Sequence, residues 1–282
     1  MFRLCNSQVN CPLRFSLYSK QENGKTLLYG SCEVTPKEIL DNVDKEREMI
    51  NEKSKVRLGG MLRFEQFEVV EQPSFVDYLK NGWYINMTVA IDFTASNGGL
   101  HELSPLKQNN NDYELAIKEV GKILQPYSYR QQFTALGFGG IPNFLLEQDE
   151  YADRNKVNMN CFRLSQSPTI QSLDDLNEHY RAAIEGTTLW GPTLFTPLFF
   201  QMQEYMKAMS QFRMYHCLLI LTDGIIHDLR ETVDRIVYCT AYPLSVIIVG
   251  IGDADFTAME TLDSDEYDLV DGYGETAKRD IC

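Results

Sequence analysis

Three apolar runs constrain the fold of this chain more than any other feature of its sequence. They read YINMTVAID, HCLLILTDG and LSVIIVGIG, and stretches with helical periodicity such as DYELAIKEVGKIL and LRETVDRIVYCTAY lie between them. Strands that are apolar on both faces are typical of a parallel sheet covered by helices on each side. The sequence therefore predicts a doubly wound α/β domain over residues 73–282.

Within that domain, FTALGFGG predicts a further strand, and LDDLNEHYRAAIEG and LFTPLFFQMQEYMKAM predict two more helices. Asp112 is the expected N-cap of the helix DYELAIKEVGKIL, and Gly186 is the expected end of the next helix. The glycines in residues 137–140 lack the spacing of a dinucleotide-binding loop, so we expect a turn there. The sequence contains no phosphate-binding loop and no Gly-x-Ser-x-Gly elbow, and it predicts no catalytic or cofactor-binding residue.

Residues 1–72 have a different pattern, which is rich in β-strand signals. LRFSLYS and TLLYGSCEV predict two strands, and QENGK between them predicts a turn. The charged stretch EILDNVDKEREMINEKSK is expected to be helical or disordered, and a last strand is expected around MLRFEQFEVV. Three or four strands are too few to close a β-sandwich, so this segment is predicted to be an incomplete β domain.

The acidic charge of the chain is unevenly distributed. Residues 1–72 carry 11 basic and 11 acidic side chains, whereas residues 73–282 carry 15 and 29, so the net charge of −14 falls on the second segment. Such a surface repels nucleic-acid backbones and anionic lipids, and we therefore expect no nucleic-acid partner.

Cysteine usage and hydropathy point to the cytoplasm. Seven cysteines, an odd number without metal-site spacing, fit reduced thiols. The run LSVIIVGIG is too short to cross a membrane, and the first residues lack the apolar stretch of a secretory signal. We therefore expect a cytoplasmic protein.

Oxygen-bearing side chains follow the ends of two apolar strands. Asp92 ends the first run, Thr94 and Ser96 follow at alternate positions, and Asp223 ends another run. The carboxyl ends of parallel strands meet at one edge of a sheet, so we expect these oxygens to converge on a hard cation, Mg²⁺ or Mn²⁺. One or two carboxylates with neutral hydroxyls leave such an ion able to accept a carboxylate from a partner protein.

Each of these residues also has a simpler structural interpretation. Thr94 and Ser96 could cap the following segment, and Asp223 could form a turn with Gly224. The four histidines show no ligand spacing and are expected to be structural or surface residues.

An aspartate at a strand end is also found in phosphatases of the haloacid dehalogenase type, where it is the nucleophile. Those enzymes carry a second aspartate two positions further on, as a general acid, and this chain has Thr94 there. We therefore predict that the protein is not an enzyme, with a metal-dependent phosphatase as the less favoured alternative.

The segment DFTASNG, residues 92–98, resembles the first motif of the metal-ion-dependent adhesion site in the von Willebrand factor A domains of the copine family. The resemblance continues in copine order over roughly 200 residues, through FVDYLKNGWYINMTVAIDFTASNG, YELAIKEVGKIL, FTALGFGGIP, WGPT, LILTDGIIHD, PLSVIIVGIGDADFTAME and RDI. It implies a von Willebrand factor A-type sheet over residues 73–282, mainly parallel with helices on both faces. It also implies the metal ligands Asp92, Thr94, Ser96, Asp223 and, from a Gly-Pro-Thr turn, Thr193.

Copines place two C2 domains before the A domain, and residues 1–72 look like the C-terminal part of the second one. The first C2 domain and the opening strands of the second are missing, so we expect a fragment, a truncated gene model or a divergent short form. Calcium-binding C2 domains carry Asp-x-Asp in a loop where this chain reads Ser19-Lys20-Gln21. We therefore expect no Ca²⁺ ligand at this position.

The resemblance implies a non-enzymatic intracellular module that recruits target proteins through the A-domain metal site, with an acidic side chain of the partner completing the site. In the family, C2 domains bind phospholipid when calcium rises, which implies peripheral association with the plasma membrane. The alternative is a cytosolic protein-binding A domain that has no membrane role of its own.

Overall fold

The computed structural model describes residues 8–21, 24–51, 54–68, 73–104, 110–146, 160–165, 167, 169–263 and 268–282. The chain divides into two compact units, Met1–Pro73 and Ser74–Cys282. Among the described residues, no helix is both long enough and apolar enough to span a bilayer.

The first unit contains one antiparallel sheet in the order β1-β2-β3-β4. Its strands are β1 (Leu13–Lys20), β2 (Thr26–Val34), β3 (Arg47–Ile50) and β4 (Arg57–Leu62). A short helix, α1 (Pro36–Asp41), connects β2 to β3 and begins with a capping box.

Two predictions for the first unit are wrong in part. The charged stretch over residues 38–55 is predicted to be helical or disordered. Residues 38–41 do lie in α1, but the stretch also contains β3, in which Met49 is buried, and residues 52 and 53 lie outside the described residues. The guanidinium of Arg47 donates to the carbonyl oxygens of Glu38, Asn42 and Lys45, so a charged side chain holds this stretch in place.

The last predicted strand, around residues 61–70, is also displaced, because β4 begins at Arg57 and ends at Leu62. Phe64 leaves the strand direction and packs edge-on against Phe15 and Phe67. Residues 69 and 70 lie outside the described residues.

The second unit is built on a five-stranded sheet in the order β11-β10-β5-β6-β8. Four strands are parallel to one another, and the short edge strand β8 is antiparallel, as a mainly parallel sheet predicts. Their bounds are β5 (Tyr84–Asp92), β6 (Ser128–Phe138), β8 (Phe162–Arg163), β10 (Met214–Thr222) and β11 (Leu244–Gly250). A separate antiparallel pair consists of β7 (Gly140–Pro142) and β9 (Thr187–Leu189).

Helices cover both faces of this sheet, which confirms the predicted doubly wound α/β fold. Tyr113 of α3 and Tyr180 of α5 belong to the core on one face, and Phe199 of α6 and Ile236 of α7 to the core on the other. The helices are α2 (Phe75–Lys80), α3 (Asp112–Leu124), α4 (Asn143–Leu146), α5 (Leu173–Glu185), α6 (Thr196–Ala208), α7 (Leu229–Cys239) and α8 (Thr257–Leu262). In the described part of this unit, 3₁₀ helices span Ala95–His101 and Gln125–Tyr127.

Two local predictions for this unit need correction. The N-cap of α3 is Asn111 and not Asp112, because a capping box pairs the cap with the residue three positions on, here Glu114. Residues 137–140 are not simply a turn, since Gly137 lies in β6 and Gly140 begins β7. Only Gly139, at φ +76°, has the left-handed backbone that turns the chain between them.

Candidate metal site

Asp92 is the centre of a hydrogen-bonded cluster at the carboxyl edge of the sheet. It ends β5 and is fully buried. Its Oδ1 accepts from the backbone N–H of Thr94 at 2.9 Å and from the Thr94 hydroxyl at 2.7 Å. Its Oδ2 accepts from the hydroxyl of Thr222, the last residue of β10, at 2.7 Å. Both carboxylate oxygens are therefore held in fixed positions.

Thr94 and Ser96 lie together beside Asp92. Thr94 precedes the 3₁₀ helix Ala95–His101, but its side chain makes no capping hydrogen bond. Its hydroxyl instead donates to Asp92 and lies 3.2 Å from the hydroxyl oxygen of Ser96, which is exposed. The side-chain oxygen of Thr94 thus faces the carboxylate and not the end of the helix.

The Gly-Pro-Thr turn lies alongside these residues. Ala95 N–H donates to the Trp190 carbonyl at 2.7 Å, and Trp190 N–H donates to the carbonyls of Phe93 and Gly139. These backbone bonds bring Trp190, and the turn that follows it, next to the segment that carries Thr94. Thr193 at the end of the turn is buried.

The loop after β10 is joined to the same turn. Thr193 N–H donates to Nδ1 of His227 at 3.2 Å, and His227 N–H donates to the Thr193 carbonyl at 3.0 Å. The Asp228 carboxylate accepts from the backbone N–H of Phe195, the N-cap of α6, and from that of Thr196, its first residue. The loop that begins at Asp223 is therefore fixed to the Gly-Pro-Thr turn.

Asp223 is buried at the start of that loop and takes part in a turn as well. Its Oδ1 accepts from the Ile225 N–H at 3.3 Å, and Gly224 has φ +92°. The turn that the sequence allows is therefore present, and the negative charge of Asp223 also raises the pKa of Asp92.

The electrostatics of the cluster favour a cation. Burial raises the pKa of Asp92 to about 6, the negative charge of Asp223 adds to that rise, and the hydrogen bonds from Thr222 and Thr94 oppose it. A divalent cation would offset the repulsion between the two buried carboxylates. The described residues contain no cluster of three or more His, Cys, Asp or Glu side chains suited to a metal, so a site here depends on hydroxyl oxygens. Carboxylate and hydroxyl oxygens fit Mg²⁺ or Mn²⁺.

Four buried residues around the cluster were not identified from the sequence. The amide of Asn97 bonds to the Thr94 hydroxyl, and the phenol of Tyr113 bonds to Asn97. His101 bonds to the backbone carbonyl of Asp92, and Tyr180 bonds to His101. Burial lowers the pKa of His101 to about 4, so its ring is neutral at pH 7. The sequence signal for two of these residues was a tyrosine, whose hydroxyl is polar, on the apolar face of a helix: Tyr113 on α3 and Tyr180 on α5.

The histidines otherwise follow the sequence expectation. His101 and His216 are buried, His179 is half-buried, and His227 is exposed. His101 and His227 make structural hydrogen bonds at the edges of the candidate site, and neither belongs to the predicted ligand set.

Solved structures of low sequence identity are similar to parts of this chain. The manganese-loaded TRAP protein of Plasmodium vivax has 12% identity and a TM-score of 0.37, covering 62% of this chain and 61% of that one. Proximal thread matrix protein 1 from mussel byssus has 13% identity and a TM-score of 0.41, covering 63% and 40%. Human COPII-coat protein Sec24c has 12% identity and a TM-score of 0.31, covering 88% and 37%. The chain spans 61% or less of these solved chains, and such TM-scores are too low to assign its fold.

The family comparison is the stronger result. The model of the copine family matches residues 99–282, which include Thr193 and Asp223 and begin just after Asp92, Thr94 and Ser96. The α/β unit is accordingly a copine-type von Willebrand factor A domain, and the antiparallel sheet before it fits the last part of a C2 domain. Because the match covers well over half of its length, the chain belongs to the copine family.

Proposed function

We propose that this chain is a non-enzymatic, cytoplasmic module whose A domain binds target proteins through a divalent cation, Mg²⁺ or Mn²⁺. The cation would be held by oxygens of Asp92, Thr94, Ser96, Thr193 and Asp223. One observation supports this most: hydrogen bonds join three separate loops around two buried carboxylates at the carboxyl edge of the sheet. Ligands of parallel sheets bind at this edge.

The composition of the donor set determines what the site can do. Two carboxylates neutralise the charge of a divalent cation, and together with three neutral hydroxyls they supply five oxygens, so an octahedral ion would keep one position for a further oxygen from a partner. Asp92 and Asp223 supply the negative charge, and the Thr222 hydroxyl orients Asp92. Thr94, two positions after Asp92, is not a titratable acid, which argues against a phosphatase.

The exposed residues around the site suggest which partner would fit. Trp190, 58% exposed, immediately precedes the Gly-Pro-Thr turn, and Ile225, 41% exposed, lies two residues after Asp223. Asp255 lies beside Gly224 and is exposed, and hydrogen bonds from the Thr257 hydroxyl and N–H lower its pKa, so it stays ionised. We propose a partner segment that combines one acidic side chain with apolar and basic neighbours.

Metal binding can be tested with Mn²⁺ by calorimetry. We expect the wild type to bind the ion, and Asp92→Ala and Asp223→Ala to lose binding while their circular dichroism spectra are unchanged. Asp174→Ala, which removes an exposed carboxylate from α5, is the matched control and should bind normally. Unchanged Mn²⁺ binding in both site variants would contradict the assignment.

Protein recruitment can be tested by affinity capture from a cytosolic extract. The same three variants and the wild type are compared in Mn²⁺ and in EDTA, and the retained proteins are identified by mass spectrometry. We expect one set of proteins to require Mn²⁺ and Asp223 together. Capture that is equal with EDTA would show that the A domain does not recruit partners through the metal.

A further inference from the structure

Two chains of buried hydrogen bonds run from helices α3 and α5 to the candidate metal site. In the first, the Tyr113 hydroxyl bonds to Oδ1 of Asn97, and Nδ2 of Asn97 bonds to the Thr94 hydroxyl oxygen at 2.9 Å. The Thr94 hydroxyl then bonds to Oδ1 of Asp92 at 2.7 Å. All four side chains are buried, so water does not compete for these bonds.

The direction of this first chain is fixed by its chemistry. A carbonyl oxygen only accepts, so Tyr113 donates to Oδ1 of Asn97. The amide nitrogen only donates, so Asn97 donates to Thr94, and the single proton of Thr94 goes to Asp92. In the contact between Thr94 and Ser96 the donor must then be Ser96. Since Ser96 is exposed, its hydroxyl can turn away and leave one lone pair of Thr94 for a cation.

The second chain holds the backbone of Asp92. The Asp92 carbonyl accepts at 2.7 Å from Nε2 of His101, which must therefore carry the ring proton. Nδ1 of His101 then accepts from the Tyr180 hydroxyl at 2.7 Å, and the Tyr180 oxygen accepts from Nδ2 of Asn111 at 3.0 Å. Asn111 is also the N-cap of α3, so the position of this helix start is linked to that of Asp92.

We infer that Tyr113 and Tyr180 are positioning residues for the metal site. In a reversed amide, Nδ2 would face the Tyr113 oxygen and Oδ1 would accept the Thr94 proton, taking it away from Asp92. Tyr113 disfavours this arrangement because its own buried proton would lose the acceptor Oδ1 of Asn97. Tyr180 holds His101 in the one tautomer that can donate to the Asp92 carbonyl. Neither tyrosine belongs to the candidate ligand set, and this inference rests on the proposed metal function.

The contribution of each hydroxyl can be separated from that of its ring. Tyr113 stacks on the His101 ring at a centroid distance of 4.2 Å, and the rings of Tyr113 and Tyr180 are 6.1 Å apart. A Tyr→Phe substitution keeps these ring contacts and removes only the hydroxyl, which at Tyr180 is the donor to His101 and also the acceptor from Asn111. Tyr215→Phe is the matched control, because its hydroxyl bonds to Ser245 near the amino end of β10, away from the site.

The test measures Mn²⁺ affinity by calorimetry, and free Mn²⁺ by electron paramagnetic resonance, in the folded wild type, Tyr113→Phe, Tyr180→Phe and Tyr215→Phe. We expect affinity to fall ~10- to 100-fold in the first two variants, as for other residues that orient metal ligands, and to be unchanged in Tyr215→Phe. If Tyr113→Phe does not fold, Asn97→Ser is measured in its place, because it breaks the same series of hydrogen bonds.

The outcomes distinguish this inference from the proposed function. Unfolding temperatures in EDTA report the structural effect of each variant. Variants that melt earlier but bind Mn²⁺ like the wild type would overturn the positioning role and leave the metal site intact. A wild type that does not bind Mn²⁺ would overturn both.

Discussion

The hydroxyl of Thr222 donates to Oδ2 of Asp92 at 2.7 Å and joins the carboxyl ends of β5 and β10. Both residues are completely buried, and Thr222 comes directly before the second candidate carboxylate, Asp223. This bond orients one candidate ligand and ties together the two strands on which the candidate carboxylates lie.

Thr222→Val should destabilise the A domain because it removes this donor, and with it the acceptor of the Gly224 N–H, without changing the shape of the side chain. A buried carboxylate oxygen left without its partner costs about 1–3 kcal/mol of unfolding free energy. Urea unfolding in EDTA measures the loss, and Thr261→Val, at an exposed position on α8, is the control. Equal stability of Thr222→Val and the wild type would show that the bond contributes nothing.

Gly139→Ala should weaken Mn²⁺ binding as well as stability. A Cβ at residue 139 would lie 2.2 Å from Cγ2 of Thr94, so Thr94 would have to move. Gly274→Ala is a matched control, because Gly274 also has positive φ, at +90°, with open space around its Cβ position. We expect left-handed backbone strain to lower the unfolding free energy of both variants by roughly 1–2 kcal/mol. Only Gly139→Ala should lose Mn²⁺ affinity in calorimetry. Equal Mn²⁺ affinity in the two variants would contradict this.

Acid should destabilise the A domain partly through His216. Burial lowers the pKa of this residue from 6.5 to about 4, so between these values the unfolded chain binds a proton that the folded chain does not. Unfolding free energy should therefore fall as the pH drops from about 6.5 to 4, by up to ~3 kcal/mol from this group. His216→Leu should be less sensitive to acid in urea titrations at pH 7 and pH 5. An unchanged pH slope would show that His216 is not a source of the acid sensitivity.

Residues 74–282 should fold when expressed alone. Both hydrophobic clusters that flank the five-stranded sheet consist of residues from Ile85 onward, so this unit holds its own core. We expect circular dichroism of mixed α/β character and a cooperative thermal transition. A spectrum of an unfolded chain would show that the domain boundary near residue 73 is wrong.

Calcium should not cause this chain to sediment with phosphatidylserine liposomes. The copine resemblance would place Ser19 and Gln21 where calcium-binding C2 domains carry aspartates, and residues 73–282 carry 14 more acidic than basic side chains. A calcium-binding C2 domain, sedimented with the same vesicles, is the positive control. Robust calcium-dependent pelleting of the chain would show that another part of the molecule binds the ion or the lipid.

The fold was largely predictable because its signals are local. The helix Asp112–Leu124 and the strand Thr26–Val34 have the bounds that their own periodicity indicates. β3 was missed because it depends on contacts outside its four residues, such as the bonds from Arg47 to the carbonyls of the preceding segment. Charge patterns near a strand carry no information about such bonds.

The part of the candidate site that could be predicted from the sequence is the part that depends on the order and direction of the strands. Asp92 and Asp223 follow parallel strands, and this rule alone brings them to one edge. The bond between His101 and Tyr180 joins residues 79 positions apart, and no sequence spacing predicts it. The metal itself stays a prediction, since it depends on how the hydroxyls of Thr94, Ser96 and Thr193 respond to an ion.

Asp92 and Thr222 are 130 positions apart in the sequence, so their hydrogen bond can form only late in the synthesis of the chain. At a synthesis rate of 5–20 residues per second, roughly 10 s pass on the ribosome between the two residues. During that time β5 has no β10 to pair with, and its apolar edge is open to chaperones or to other nascent chains. The bond from Thr222 to Asp92 forms only after β10 has been made. Nascent chains that stop before β10 should therefore bind no metal at all, instead of binding it weakly.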